Sequence, residues 1–299
     1  MVGCVALPAP GLVRRGEVRA VFARSLHVAL SDGGFLTLGG KGLAAHPASV
    51  LWPGFAVDLE VGRKVAVTAD GIFTEGRLYR AFGGMDLFTP SSGCQPMAPT
   101  DQVVAAIRAS LWRAAGFSTR GGFHEILLRH SGVIPQDLPG QLSDRLLRLG
   151  SAQCEALSSA LVLGDWAAFK QQALECAGMG AGLTPAGDDF LAGVLAALRY
   201  HGKSRGVDVV SQEFLEDLAR LSGLRTTPFS GFLLGCAARG LVAEPFAAWV
   251  LAVHRGEAET ATRHVLNIAA IGHSSGLDTL TGMLLVLQSI MGERPWTEW

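Results

Sequence analysis

The stretch "TPAGDDFLAGVLAAL" (Thr184–Leu198) recurs further along the chain as "HSSGLDTLTGMLLVL" (His273–Leu287). The two copies align without gaps and share the pattern G-x-D-x-L-x-G followed by an apolar run. On a helix, the aspartate and the second glycine of each copy lie on one face. Glycine inside a helix costs about 1 kcal/mol relative to alanine, so it is expected where another backbone comes close. We therefore predict that the two copies pack about a pseudo-twofold axis, which brings Asp189 and Asp278 together.

Such a convergence of carboxyl groups would have a chemical consequence. Two neighbouring carboxylates cannot both stay ionised without a cation, a hydrogen-bond donor or a proton between them. The loop before the first copy, "GMGAGL" (178–183), is rich in glycine and would expose backbone N–H groups at the positive end of a helix. Helix ends of this kind are recurrent anion sites. The paired motifs therefore predict a site for a small anion.

Helix capping is an alternative interpretation of the same residues. Thr184 before Pro185 is a good N-cap with proline at the first helical position. The run Ser275–Asp278 fits a capping box, and acidic residues in a first turn suit the helix dipole. Capping alone would explain Asp188 and Asp278 without any ligand. Both interpretations stay open from the sequence, although capping does not explain the glycine loop.

The rest of the chain predicts an α+β protein with two domains. Residues 14–80 alternate apolar and polar positions and break at Asp32-Gly33-Gly34, which is typical of a hairpin. They predict a small antiparallel β barrel or sandwich in an N-terminal domain, 1–95, with a Gly/Pro/Ser-rich linker over 83–100. The C-terminal domain, 96–299, is predicted to be mainly α-helical. Its helices are expected near 100–116, 121–130, 140–163, 165–177, 186–201, 209–222, 228–239, 243–254, 257–270 and 275–291.

Composition excludes several classes of function. The net charge of −1 offers no basic field for a nucleic acid or an anionic membrane surface. The N-terminal stretch has no basic segment ahead of its short apolar run, which argues against a signal peptide. We expect a soluble cytoplasmic protein. Because 49% of the residues are hydrophobic and only 17% are charged, a large core or a broad subunit interface is expected. In the second case the chain would be part of an oligomer.

The cysteines and the common catalytic motifs add little. Five scattered cysteines without a C-x-x-C pair argue against a disulfide framework and a structural zinc site, and favour reduced thiols that fill core space. No H-E-x-x-H or G-x-S-x-G occurs. Arg120 and Arg225 could each offer a guanidinium to a phosphate or carboxylate, and His273 could be a base or a ligand. A solvated surface arginine and a hydrogen-bonded core histidine are the alternatives for these positions.

Three segments together resemble one bacterial family. "GLTPAGDDFLAGVLAAL", "TTPFSGFLLGCAARG" and "IGHSSGLDTLTGMLL" occur in the order and approximate spacing of the AllH-like family, named for the AllH subunit of oxamate carbamoyltransferase. The motifs cover residues 178–287, and the β-rich first domain is similar to the family's layout. One departure is Ala186, where the family more usually has serine, so no hydroxyl is available at that position.

The resemblance implies a subunit of a multisubunit carbamoyltransferase. Its partners would be FdrA-like and AllG-like subunits, in anaerobic allantoin use, a branch of purine catabolism. The implied reaction interconverts oxalurate and phosphate with oxamate and carbamoyl phosphate. Carbamoyl transfer needs mainly positioning and stabilisation of a developing oxyanion, so a cation or arginine could suffice without a protein nucleophile. The substrates would be small anions, which agrees with the predicted site.

The predicted site residues fall into a catalytic group and a ligand-binding group. The catalytic candidates are Asp188, Asp189, Asp278 and His273, and the three aspartates are also the candidates for holding Mg²⁺. Ligand binding is expected from Gly180, Gly182, Thr184, Gly187, Arg225, Thr226, Thr227, Ser274, Ser275 and Gly276. Two further functions stay open. One is a non-catalytic assembly subunit whose motifs only cap and pack helices, and the other is a Mg²⁺-dependent hydrolase, by loose analogy with ADP-ribosyl-glycohydrolases.

Overall fold

A computed structural model describes residues 8, 10–40, 42–52, 55, 58–81, 86–87, 97–117, 121–130, 144–206 and 209–292. The chain divides into two compact units, Met1–Pro90 and Ser91–Trp299. The first carries the strands and the second the helices, so the fold class is α+β, as predicted. The predicted domain boundary, between residues 95 and 96, lies outside the described residues and stays a prediction.

The first unit contains a single curled sheet. Its described strands are β1 (Arg14–Phe22), β2 (Ser25–Leu30), β3 (Phe35–Gly40), β4 (Ser49–Trp52), β5 (Lys64–Val67), β6 (Gly71–Thr74), β7 (Arg77–Ala81) and the two-residue β8 (Asp86–Leu87). They are ordered β7-β6-β5-β1-β2-β3-β4-β8. The inward positions of these strands form the core of this unit, which includes Val18, Leu26, Val28, Leu36 and Ile72.

Local chemistry explains most of the sheet. The predicted hairpin joins β2 to β3, where Gly33 adopts a left-handed φ of 84°. The Asp32 carboxylate accepts a hydrogen bond of 3.0 Å from the backbone N–H of Gly34 and closes the turn. The pairings are antiparallel except for β3 with β4, which run parallel. Residues 42–48 precede β4 and bring the chain back beside β3, a return that the alternation of side chains does not predict.

The second unit is built from helices alone in its described part. They are α1 (Thr100–Ala115), α2 (Phe123–His130), α3 (Asp144–Leu163), α4 (Trp166–Cys176), α5 (Ala186–Arg205), α6 (Gln212–Gly223), α7 (Pro228–Ala237), α8 (Glu244–His254), α9 (Ala258–Ala269) and α10 (Ser275–Ile290). Each predicted helical run corresponds to one of them. No helix in the described ranges is both long enough and apolar enough to cross a membrane.

Helix α10 lies at the centre of this unit. It is buried on every side from Gly276 to Ser289 and packs against α1, α2, α3, α5 and α9. A helix buried all round must be apolar all round, which explains the run that follows the second motif. Its most extensive contact is with α5, the helix of the first motif. The thiols of Cys154 and Cys176, both buried in this unit, are free.

The repeat extends beyond the motifs to helix–loop–helix segments. Gly164 before α4 and Gly256 before α9 both have left-handed φ, 68° and 70°. The following residues, Asp165 and Glu257, donate equivalent backbone hydrogen bonds of 2.9 Å to Ala160 and Ala252. The turns that lead into α4 and α9 therefore have the same local geometry, and the loop between α4 and α5 is longer than the loop between α9 and α10.

Candidate functional site

The two motif helices cross at their second glycines. A Cβ added at Gly193 would lie 1.9 Å from the carbonyl oxygen of Thr279, and one added at Gly282 would lie 2.0 Å from that of Phe190. Phe190 and Thr279 are equivalent positions of the two copies. The contacts are therefore reciprocal, as a pseudo-twofold axis requires. Only glycine allows the two backbones to approach this closely.

The first glycine of each motif lies against the preceding helix. A Cβ at Gly187 would lie 2.1 Å from the carbonyl oxygen of Cys176, and one at Gly276 would lie 2.0 Å from that of Ile268. These two predicted ligand-binding residues are thus packed against backbone. The packing of Gly187 positions Asp188 and Asp189 on α5. The packing of Gly276 positions Asp278 on α10.

Asp278 is fully buried beside the start of α2. Its Oδ1 accepts a hydrogen bond of 3.2 Å from the backbone N–H of His124, and the N–H of Phe123 and the hydroxyl of Ser274 also bond to the carboxyl group. Burial nevertheless raises the pKa of Asp278 from 3.8 to about 7. Oδ2 has no hydrogen-bond partner among the described residues. At neutral pH this group is therefore poised between its two protonation states.

Asp189 lies across the helix crossing from Asp278. Burial raises the pKa of its carboxyl group well above the usual range, and the negative charges of Asp278 and Asp188 act in the same direction. The hydroxyls of Ser275 and Thr184 oppose this shift by donating to the carboxylate. Its Oδ2 is buried and has no partner in the described part of the chain. We name Asp189 and Asp278 the carboxyl pair.

Two hydroxyls connect the halves of this site. Thr184 Oγ1 and Ser275 Oγ lie 3.3 Å apart, one from each motif, and both side chains are partly exposed. They thus occupy the side of the carboxyl pair that faces solvent. A small polar molecule entering from that side would meet these hydroxyls before the buried carboxyl groups.

Asp188 serves a different purpose from its neighbour. Its Oδ1 accepts a hydrogen bond of 2.7 Å from the backbone N–H of Gly178, and its Oδ2 accepts one from the hydroxyl of Thr226. Both oxygens are therefore engaged in holding the glycine loop and the α6–α7 loop together. This arrangement is structural, although the predicted catalytic and metal-binding roles of Asp188 are not tested by it.

The predicted ligand-binding residues after α6 also make structural contacts. Thr227 is the N-cap of α7, accepts from the N–H of Ser230 at 3.1 Å, and donates to the carbonyl of Leu183 at 2.7 Å. Arg225 donates to the carbonyl of Leu174 at 2.8 Å, while half of its side chain stays exposed. Arg120, the other candidate arginine, lies outside the described residues.

The glycine loop forms the exposed rim near the start of α5. Gly180 and Gly182 are exposed and have left-handed φ values of 117° and 102°. His273 is exposed at the equivalent place before α10. The structure therefore places the predicted anion loop and the histidine on the surface, beside the buried carboxyl pair.

The capping interpretation is wrong in its details. Pro185, rather than Thr184, occupies the N-cap position of α5, and no side chain caps that helix end. Ser274 occupies the N-cap position of α10, also without a side-chain cap. Asp278 instead bonds to the N-terminal N–H groups of α2, more than a hundred residues away in the chain. Long-range contacts have replaced the local ones that the sequence pattern favoured.

Helix α2 is the part of the site that sequence reasoning missed. Gly122, with a φ of 75°, lies so close to Asp278 that an added Cβ would be 2.2 Å from Oδ1. The buried Glu125–Arg129 ion pair, at 2.8 Å, lies on the same helix. The Gly121-Gly122 pair directly before an apolar helix was the available signal, because such glycines mark close approaches.

The described residues offer limited support for a metal site. They contain no group of three or more His, Cys, Asp and Glu side chains arranged to hold a metal ion. The free oxygens of the carboxyl pair could serve Mg²⁺, which commonly takes one or two carboxylates and keeps several waters. Each oxygen of Asp188 already accepts one hydrogen bond, and its predicted role in metal binding stays a prediction.

A groove lies elsewhere in the same unit. It has a volume of about 340 Å³ and is formed by α6 and α7, with Arg220 and Arg239 among its lining residues. None of its lining residues belongs to the carboxyl pair or to the paired motifs.

Comparison with known proteins identifies the segment that carries the motifs. Residues 176–287 match the family model of the oxamate carbamoyltransferase subunit AllH. The resemblance to the AllH-like family is thereby confirmed over this segment. The AllH segment begins at the last residue of α4 and ends within α10, so it contains both motifs and the glycine loop, whereas α2 lies outside it. No solved structure matches the chain.

Proposed function

We propose that the chain is the AllH-type subunit of an oxamate-carbamoyltransferase-like complex, and that its carboxyl pair binds the carbamoyl or amide group of a small substrate. One observation carries this proposal. The carboxyl pair comes from two copies of one motif within the AllH segment, and each group keeps a buried oxygen without a hydrogen-bond partner. Buried polar atoms of this kind are rare in proteins, and a bound ligand is one explanation for them.

The chemistry of the pair suits an amide. A protonated carboxyl group donates a hydrogen bond, whereas an ionised one only accepts. When one of the two groups is protonated and the other ionised, the pair can donate to the carbonyl oxygen of a carbamoyl group and accept from its NH₂. Donors aimed at such an oxygen stabilise the oxyanion that develops during acyl transfer. Thr184 and Ser275 would add hydroxyl donors at the exposed side.

The rest of a substrate would extend toward the surface. The proposed substrates, carbamoyl phosphate and oxamate, each join the carbamoyl or amide group to an anionic group. The exposed backbone of Gly180 and Gly182, near the start of α5, suits such an anion. His273 is exposed directly before α10 and can donate a hydrogen bond from a ring N–H.

We also propose that Mg²⁺ can bind at the carboxyl pair. Asp189 and Asp278 would hold the ion through their free oxygens, and it would supply positive charge to the developing oxyanion. In that case both carboxyl groups would be ionised when the ion is bound, since a nearby cation lowers a carboxyl pKa.

The assembly belongs to the proposal as well. The AllH family is named for one subunit of a transferase, so partner subunits are expected. We propose FdrA-like and AllG-like partners and a cytoplasmic role in allantoin breakdown. The reaction would convert phosphate and a ureido acid into carbamoyl phosphate and an amide acid.

The test uses the chain in its complex. The full chain is co-purified with FdrA-like and AllG-like subunits, and carbamoyl phosphate is measured from oxalurate and phosphate. Asp189→Asn removes one proton-sharing group and should lower kcat/KM by about 100-fold, the usual loss for one oxyanion donor. Asp217→Asn changes an exposed carboxylate paired with Lys170 and should leave activity unchanged. Activity at the native level in a folded Asp189→Asn complex would contradict the proposal.

A non-catalytic assembly role is the second candidate. It is favoured by Asp278 bonding to the start of α2 and by Asp188 joining two loops. That role predicts that variants of the carboxyl pair fail to assemble but are fully active once assembled. Sedimentation of the complex alongside the activity measurement separates the two functions.

A further inference from the structure

The groove between α6 and α7 has features of a ligand site. Gly223 and Gly231 let these helices approach closely, since a Cβ added at either would lie 3.2 Å from the Cα of the other. Beside this contact the groove opens to about 340 Å³. That volume falls at the lower end of small-molecule pockets, which range from about 300 to 1,000 Å³.

Arg239 supplies the decisive chemistry. Its Nε and Nη2 are buried and have no hydrogen-bond partner among the described residues. A guanidinium has only donors, and leaving a buried charged donor without an acceptor is costly. An anionic acceptor in the groove would relieve this cost. A planar carboxylate fits best, because its two oxygens match the two neighbouring N–H groups.

Glu216 narrows the class of ligand further. It lines the same groove and already accepts a hydrogen bond of 3.0 Å from Gln212. Arg220, also in the lining, is engaged by Asp217 at 2.6 Å. The carboxylate of Glu216 would repel a doubly charged anion and can accept from an N–H group. A ligand that bonds to both Arg239 and Glu216 therefore carries one carboxylate and one N–H donor.

We propose that the α6–α7 groove binds a small acid that carries a single carboxylate together with an amide or amino group. The carboxylate lies on Nε and Nη2 of Arg239, and the N–H group donates to Glu216. This site is separate from the carboxyl pair and does not depend on the function proposed for it.

The test reports on the groove alone. Ala219 lines it and is buried, so its ¹³C-labelled methyl group is a local probe in the full chain. Oxamate is titrated against acetate and inorganic phosphate, with the methyl signal of Ala197 on α5 as an internal reference. We expect oxamate to shift the Ala219 signal in a saturable manner at millimolar concentration, and both comparators to bind more weakly.

Two variants make the result decisive. Arg239→Gln should weaken binding by about tenfold or more, the value of a charge-assisted hydrogen bond. Gly235→Leu should abolish binding, because a Cβ there meets only Arg239 Nη2 at 3.9 Å and the larger side chain fills the groove. The exposed Arg113→Gln should change nothing. No shift of Ala219, phosphate binding tighter than oxamate, or unchanged binding in both groove variants would overturn the proposal.

Discussion

At the scale of single residues, the protonation state of the carboxyl pair is the most informative property. Sequence comparison alone predicted that Asp189 and Asp278 would meet, because a gapless repeat implies equivalent positions. It did not predict that Asp278 would contact α2, because His124 is far from Asp278 in the sequence and only the tertiary fold places its N–H beside the carboxyl group. The contacts of Asp188 were not predictable either, because Gly178 and Thr226 reach it from two different loops.

Asp278 gives a prediction for the pH dependence of stability. Its pKa in the folded chain, about 7, exceeds the ordinary value of 3.8. Between these values the folded chain holds a proton that the unfolded chain has lost, so the free energy of unfolding falls as pH rises through this window. Asp278→Asn keeps the oxygen that accepts from His124 and removes the titration. Urea unfolding should show the variant gaining on the native protein from about pH 4 to pH 7.

The comparison between the two proteins cancels the titrations of groups that Asp278 does not influence. Buried His254, whose pKa burial lowers to about 4, makes stability rise with pH over part of the same range. That contribution is common to both proteins and drops out of the difference. If the difference in the free energy of unfolding between the two proteins does not change with pH, the pKa of Asp278 is not raised in the folded chain.

At the scale of elements, the glycine crossing of α5 and α10 defines the helical unit. The 3.6-residue periodicity predicted where the helices lie, and the repeat predicted which two would pack. The β3–β4 pairing was not predictable in this way, because strand direction depends on a chain return and not on side-chain alternation. The α4–α9 equivalence escaped detection because its sequence similarity is confined to a few turn residues.

The close crossing of α5 and α10 predicts that substituting its two glycines lowers the free energy of unfolding far more than substituting a glycine elsewhere in a helix. Gly193→Ala and Gly282→Ala each place a methyl group about 2 Å from a backbone carbonyl oxygen, so the helices must separate. Each should lose about 3 kcal/mol or more in the free energy of unfolding measured with urea. Gly235→Ala, also inside a helix, has no such contact and should gain up to about 1 kcal/mol. Equal effects at the three positions would contradict the described packing.

At the scale of the whole molecule, the chain consists of two units with separate cores. Composition predicted a large apolar core, and the described residues place much of it in the helices around α10. The linker predicted from glycine, proline and serine lies mainly outside the described residues, so the domain division rests on the compactness of each unit.

This division predicts that the helical unit folds by itself. A chain of residues 91–299 should give a helical circular dichroism spectrum and a single cooperative thermal transition, because the α5–α10 core is internal to it. The full-length chain, measured alongside, serves as the reference. A truncated chain that is helical but melts without cooperativity would show that the helical unit needs the sheet.

The two motifs bring Asp189 and Asp278 together as buried carboxyl groups, so that the charge of one raises the pKa of the other. Titration of the ¹³C-labelled aspartate carboxyl groups by NMR tests this coupling most directly, in the native protein and in Asp278→Asn. We expect the pKa of Asp189 to lie well above its ordinary range in the native protein because of burial, and to fall in the variant because the charge of Asp278 is gone. An Asp189 that ionises near pH 4 in both proteins would contradict the account.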